Sequence, residues 1–152
     1  MFAALAGVFG ISSFLNSRLV VRFGAAELVK AAILLIIFAS ITYALLFRNY
    51  SAVPPLTAYI VYVAAIMCAF AFLFGNTTSL AMEPMGHIAG AASSVINSLS
   101  TAIAIVMATL VGSQLNATPH PVVYGFGLLA VAALAICLSI KKPTADSVSG
   151  SV

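Results

Sequence analysis

Residues 31–47 read AAILLIIFASITYALLF, and no charged side chain interrupts them. A strand crossing a membrane barrel alternates apolar and polar positions over about 10 residues. This stretch is apolar on every face, so it reads as a helix surrounded by apolar material. At 1.5 Å per residue it measures roughly 26 Å, a little short of a hydrocarbon core of about 30 Å. Lys30 and Arg48 bracket it, and their long stems place both charges in the headgroup layers. It therefore spans.

The rest of the chain follows from that segment. Of 152 residues, 63% are hydrophobic and 6% charged, against about a quarter charged in an ordinary soluble domain. Charge is also absent between Arg48 and Glu83 and between Glu83 and Lys141, gaps long enough for further spans. The fold class is all-α, a polytopic membrane protein with five transmembrane helices. The expected spans are about 1–16, 30–48, 56–82, 88–113 and 122–140, in one helical bundle over 1–142. The prolines at 54 and 55, the Pro84–Gly86 break and QLNATPHP at 114–121 separate them. Residues 143–152, PTADSVSGSV, have the composition of a disordered cytoplasmic tail.

The net charge of +3 is not a nucleic-acid signal, because the six cations sit singly or in pairs at span ends. Four of the nine charged residues gather in 15–30, which reads as a loop. Alternating five spans puts that loop, the turn at 83–87 and the tail on one side with Arg18, Arg22, Lys30, Lys141 and Lys142; Arg48 alone lies opposite. The positive-inside rule makes the arginine side cytoplasmic and the first residue extracytoplasmic. Cys68 and Cys137 fall inside spans and read as small buried hydrophobes.

Candidate chemistry is sparse. No Asp, Glu, Lys, Arg or His lies near the middle of a span, where one would mark a proton relay or ion path. His87 and His120 belong to turns on opposite faces, too far apart to share a catalytic site. The reading is a non-enzyme, with no metal and no cofactor. The fourth span is more informative: Ser93, Asn97, Thr101, Ala104, Ala108 and Gly112 recur at three- or four-residue steps, with Ser94 and Ser100 beside them. Such a stripe must face protein or a water-filled cavity. It is either a helix-packing seam or a cavity wall. Asn97, roughly 6 Å from the centre of its span, leads the substrate-cavity candidates with Ser100 and Thr101. Asn76, roughly 10 Å toward the cytoplasm from the middle of the third span and closer to where a gate would be, is the fourth substrate-cavity candidate. Glu83 is placed to pair with Arg18 or Arg22 in a gate. Gly7, Gly10, Gly125 and Gly127 allow close helix approach.

Two stretches carry a family likeness. GISSFLNSRLVVRFG, residues 10–24, resembles the eighth helix and following cytoplasmic loop of major facilitator superfamily transporters, especially Bcr/CflA-type drug:proton antiporters. Asn16, Arg18, Leu19, Arg22 and Gly24 carry it, with Val21 where the family usually has an acid. GNTTSLAMEPMGHIAGAASS, residues 75–94, resembles the junction of helices ten and eleven through Asn76, Leu80, Ala81, Pro84, Ala89, Gly90, Ala92 and Ser93. Asn97 and Ser100 stand where Gly and Gln are expected in the eleventh helix.

The resemblance implies helices eight to twelve of a twelve-helix protein, part of a C-terminal six-helix bundle. It implies export of small amphipathic compounds or drugs by alternating access and proton antiport in a bacterial inner membrane. The implied partners are the lipid bilayer, a small-molecule substrate, the proton and a missing N-terminal half that holds the coupling acids. It also makes Asn16, Arg18, Arg22, Gly24 and Glu83 the cytoplasmic loop and gate. A clipped first span in a class built from three- or six-helix repeats agrees with a missing beginning. Two alternatives remain open: a non-transporting membrane subunit that binds partner helices through the stripe, and a nutrient or metabolite carrier of the same superfamily.

Overall fold

A computed structural model describes residues 2–48, 54–113 and 120–139. Five α-helices and one 3₁₀ segment follow one another: α1 Phe2–Phe23, α2 Ala25–Phe47, α3 Leu56–Met82, the 3₁₀ turn Glu83–Ile88, α4 Ala89–Gly112 and α5 His120–Ser139. No strand occurs among the described residues. All five helices are long and apolar enough to cross a membrane, which marks a membrane-embedded protein. In hydrocarbon every backbone N–H and C=O must be satisfied within the protein, and a continuous helix does this locally.

The central element is α2. Its buried residues, Leu28, Val29, Ala32, Ile33, Ile36, Ser40 and Tyr43, step by threes and fours along one face. Of these, Val29, Ala32, Ile33, Ile36 and Tyr43 meet Tyr62, Ile66 and Ala69 of α3 and Val123 and Ala130 of α5 in one apolar core. Leu34, Phe38, Ile41, Leu45 and Leu46 of α2 are exposed, as suits side chains turned toward lipid. Ser40 and Tyr43, the two hydrogen-bonding side chains of the buried face, mark its inward direction. The Ser40 and Tyr62 hydroxyls lie 3.2 Å apart within hydrogen-bonding reach, and Tyr43 stacks at a tilt against Tyr62, 5.1 Å between ring centroids.

Contacts fix the directions of the helices. Ser40 meets Tyr62 and Tyr43 meets Tyr59, so α2 and α3 are antiparallel. Gly127 lies against Ser40 while Cys137 lies near Lys30, so α5 also runs opposite to α2. Asn16 of α1 and Asn76 of α3 are joined, each about two turns before its helix ends. The ends of α1, α3 and α5 therefore share one side of the bundle with the start of α2.

The first span differs from the sequence expectation. Asn16, Arg18 and Arg22 do not lie in a loop: α1 continues through them to Phe23, and Gly24 alone separates it from α2. The physical reason is that nothing from 16 to 23 breaks a helix. Arginine is a good helix former, its stem reaches out of the apolar layer, and glycine 24 is the first residue that permits a reversal. Its φ of 82° and ψ of 153° belong to a region almost restricted to glycine. The fifth helix begins two residues earlier than expected, at His120, with Pro121 in a first turn that lacks no intrahelical donor. The expected tail at 143–152, with Lys141 and Lys142, lies outside the described residues.

Replacing Gly24 by Ala forces a Cβ into this backbone conformation, although the surrounding space is empty. The expected cost is about 1–3 kcal/mol, measured by equilibrium unfolding in mixed micelles. Wild-type stability would show that the reversal relaxes to an ordinary turn.

Candidate functional site

Three polar groupings stand out, and the first joins two residues that the sequence places 60 positions apart. Asn76 sits on the inward stripe of α3 below Tyr62, Ile66 and Ala69, and only 3% of it is exposed. Its amide nitrogen donates to the Asn16 side-chain oxygen at 2.7 Å and to the Phe72 carbonyl at 2.8 Å. Gly75 lies beside this pair, where a Cβ would meet the Asn16 amide nitrogen at 3.5 Å, an ordinary contact. The two asparagines tie α1 to α3 near the bundle end that holds Gly24.

The second grouping is the stripe on α4. Ala92 is buried and Ser93, Ile96, Met107 and Val111 are half-buried, whereas Asn97, Ser100 and Thr101 are exposed. Asn97 and Thr101 are rotated roughly a quarter to a third of a turn from the covered line. The stripe was expected to face protein or a cavity, yet at these positions no described residue covers it. Most of its hydroxyls are satisfied on their own helix. Ser93 and Ser94 donate to the Gly90 carbonyl at 2.9 and 3.1 Å, and Thr101 donates to the Asn97 carbonyl at 2.7 Å. The Asn97 side-chain amide has no hydrogen bond among the described residues.

The third grouping is a cleft of about 430 Å³ between α3, α4 and α5. Phe70, Met107, Phe126 and Leu129 supply its bulk, and Ala104, Ala108 and Gly112 continue the stripe into it. Phe70 and Phe126 meet edge to face, 6.1 Å between centroids. At the far end α4 touches α5 closely, since a Cβ on Gly125 would lie 2.8 Å from a Val111 methyl. Helical spacing sets Thr101 one turn and Asn97 two turns from Ala104 on the same side of α4. The cleft is thus an apolar slot, with a hydroxyl and an amide one and two turns beyond its lining on α4. Two other apolar grooves, about 560 Å³ between α2 and α3 and about 600 Å³ between α2 and α5, lie elsewhere on the bundle.

The remaining sequence candidates are dispersed. Arg18, Arg22 and Glu83 are exposed, and the ion pair among the described residues joins Lys30 to Glu27 at 2.9 Å, not Glu83 to an arginine. Gly125 and Gly127 do make close helix approaches, but a Cβ on Gly7 or Gly10 would meet nothing within 4 Å. Those two glycines of α1 face open space rather than a packing partner. Sequence reasoning missed the Phe70–Phe126 slot and the Tyr43–Tyr59–Tyr62 cluster. Aromatic residues in an apolar span carry no signal of direction, although Ser40 within such a run does. No protein-family model, curated protein or solved structure matches the chain.

Two substitutions probe these contacts. Asn76→Leu leaves Asn16 without its donor and is expected to cost about 1 kcal/mol, the scale of interhelical hydrogen bonds in membranes. The double change N16L/N76L, which removes both polar partners, should recover part of that loss. Gly125→Ala drives a Cβ into a stiff, β-branched valine and should cost about 1–3 kcal/mol, with V111A restoring stability in the double variant. Both cycles are read by unfolding in mixed micelles, and additive effects would deny the contacts.

Proposed function

We propose that the chain forms the C-terminal helical part of a transporter that moves small amphipathic compounds across a bacterial inner membrane, with the arginine-bearing ends in the cytoplasm. The observation that supports this best is the cleft between α3, α4 and α5, apolar within, with Thr101 and Asn97 one and two turns along α4 from Ala104 of its lining. Such a slot suits a ligand with an apolar body and one polar end. An unpartnered amide is costly in hydrocarbon, so Asn97 requires a polar occupant, water or protein beside it. A second helical bundle closing over α4 supplies the other cavity wall, and rocking of the two bundles gives alternating access. The likeness of residues 10–24 and 75–94 to drug:proton antiporters agrees with this reading. Among the described residues no Asp, Glu, Lys, Arg or His lies near the middle of a span, so proton coupling is assigned to the other bundle. In this scheme Asn97, Thr101 and Ser100 orient the polar end of the substrate, Phe70 and Phe126 hold its apolar body, and Asn16–Asn76 fixes the cytoplasmic end.

The second reading, a subunit that binds a partner helix, draws on the same amide, because asparagine pairs across helices. Cells lacking their own efflux pumps, expressing the full-length protein, separate the two. Asn97→Leu, Thr101→Leu and Phe126→Ala should each change tolerance to some compounds by about 2- to 10-fold, the scale of one lost hydrogen bond or contact, at unchanged membrane insertion. Unaltered tolerance to every compound, together with loss of a co-purifying membrane protein in Asn97→Leu alone, would replace transport by the subunit role.

A further inference from the structure

The outward face of α1 has an order of side chains matched to a phospholipid. Asn16 turns toward α3, and helical geometry puts Arg18 about 160° away, on the opposite side. Ile11, Phe14, Arg18 and Arg22 fall within an arc of roughly 80° along that side. All four are exposed, Ile11 by 65% and Phe14 by 61%. From the middle of the span toward Gly24 the face thus runs apolar, aromatic, cationic, cationic. Each guanidinium rests on a ring: Arg18 lies 5.2 Å from the Phe14 centroid and Arg22 5.6 Å from that of Phe23. Stacking orients the planar fork while leaving its N–H edges open. Neither arginine has an acidic partner among the described residues, and the neighbouring Glu27 is paired with Lys30.

We propose that Arg18 and Arg22, one helical turn apart, form a binding site for the phosphodiester headgroup of an anionic phospholipid, with an acyl chain lying along Phe14 and Ile11. The ligand chemistry follows from the site: two arginines whose backbone positions lie about 6 Å apart along the axis can each offer a phosphate charge-assisted, bidentate hydrogen bonds. The apolar run behind them requires a ligand with a hydrocarbon tail. Arg22 stands in the last turn of α1, and the long stem of Arg18, one turn earlier, lets its head swing from Phe14 toward that end of the helix. A zwitterionic headgroup brings its own cation and is the poorer match. The inference rests on the membrane-embedded fold and not on transport.

Thermal unfolding of the purified full chain in delipidated neutral micelles tests it. Phosphatidylglycerol should raise the midpoint by about 5 °C more than the same mole fraction of phosphatidylcholine, the shift expected for two exposed charges in a chain of this size. R18Q/R22Q should abolish that difference while leaving the phosphatidylcholine midpoint unchanged. Should the double variant fail to insert, R18Q alone should halve the difference. An equal response of wild type and R18Q/R22Q to phosphatidylglycerol would overturn the proposal. So would an equal effect of both lipids, or inorganic phosphate reproducing the shift, which would mean a soluble-anion site.

Discussion

Inside hydrocarbon a polar atom has no partner except protein, and that constraint arranges this bundle. The backbone meets it by remaining helical for 20 residues or more in every span. The side chains meet it in three ways. Serine and threonine hydroxyls turn back to carbonyls three or four residues earlier, as Thr77, Thr78 and Thr109 do. Ser40 with Tyr62, and Asn16 with Asn76, pair between helices in the inward stripes. Arg18 and Arg22 rest on aromatic rings near the end of their helix.

Helix association then follows from shape and from those few polar pairs. Lipid chains are as apolar as leucine, so burying leucine against leucine offers little net advantage in a membrane. Small residues at the contacts matter more. Ala32, Ala69 and Ala130 are buried in the core, and Gly127 against Ser40 lets α5 lie close on α2. The tyrosine cluster packs between α2 and α3, beside a groove that Pro55 also lines. Bulky leucines and phenylalanines are left for the perimeter.

What the sequence made legible is bounded by the same physics. Charge-free runs identify spans because a charge in the membrane is expensive, and the ends of α3 and α4 fall within a residue of expectation because Pro84 and the 3₁₀ turn cut the chain there. The extent of α1 was not legible. Two arginines look like the end of a span, but they ended its apolar portion and not its helix, which only Gly24 could terminate. A polar residue marks the covered side at Asn76 but not at Asn97 or Thr101, and AAILLIIFASITYALLF offers only Ser40 and Tyr43. The cleft was not legible at all, since it arises from the distance at which α4 is held, and that is a property of three helices together.

That distance separates the stable part of the molecule from the part free to change. The core joins α2 with α3 and α5, and α1 is fastened to α3 by its asparagine pair. By contrast, α4 is covered at Ala92 near its start and held at Val111 near its end, with a 3₁₀ segment as its link to α3. Few buried contacts mean a low free energy for local displacement. Asn97 lies on this weakly held helix and not in the core, so its unmet hydrogen bonds do not tax the packing of α2, α3 and α5. A polar group placed there biases where α4 goes, because any position that gives the amide a partner is favoured by the full cost of leaving it bare. The same asparagine in the middle of α2 would destabilise the fold; on α4 it makes the position of one helix depend on what lies beside it.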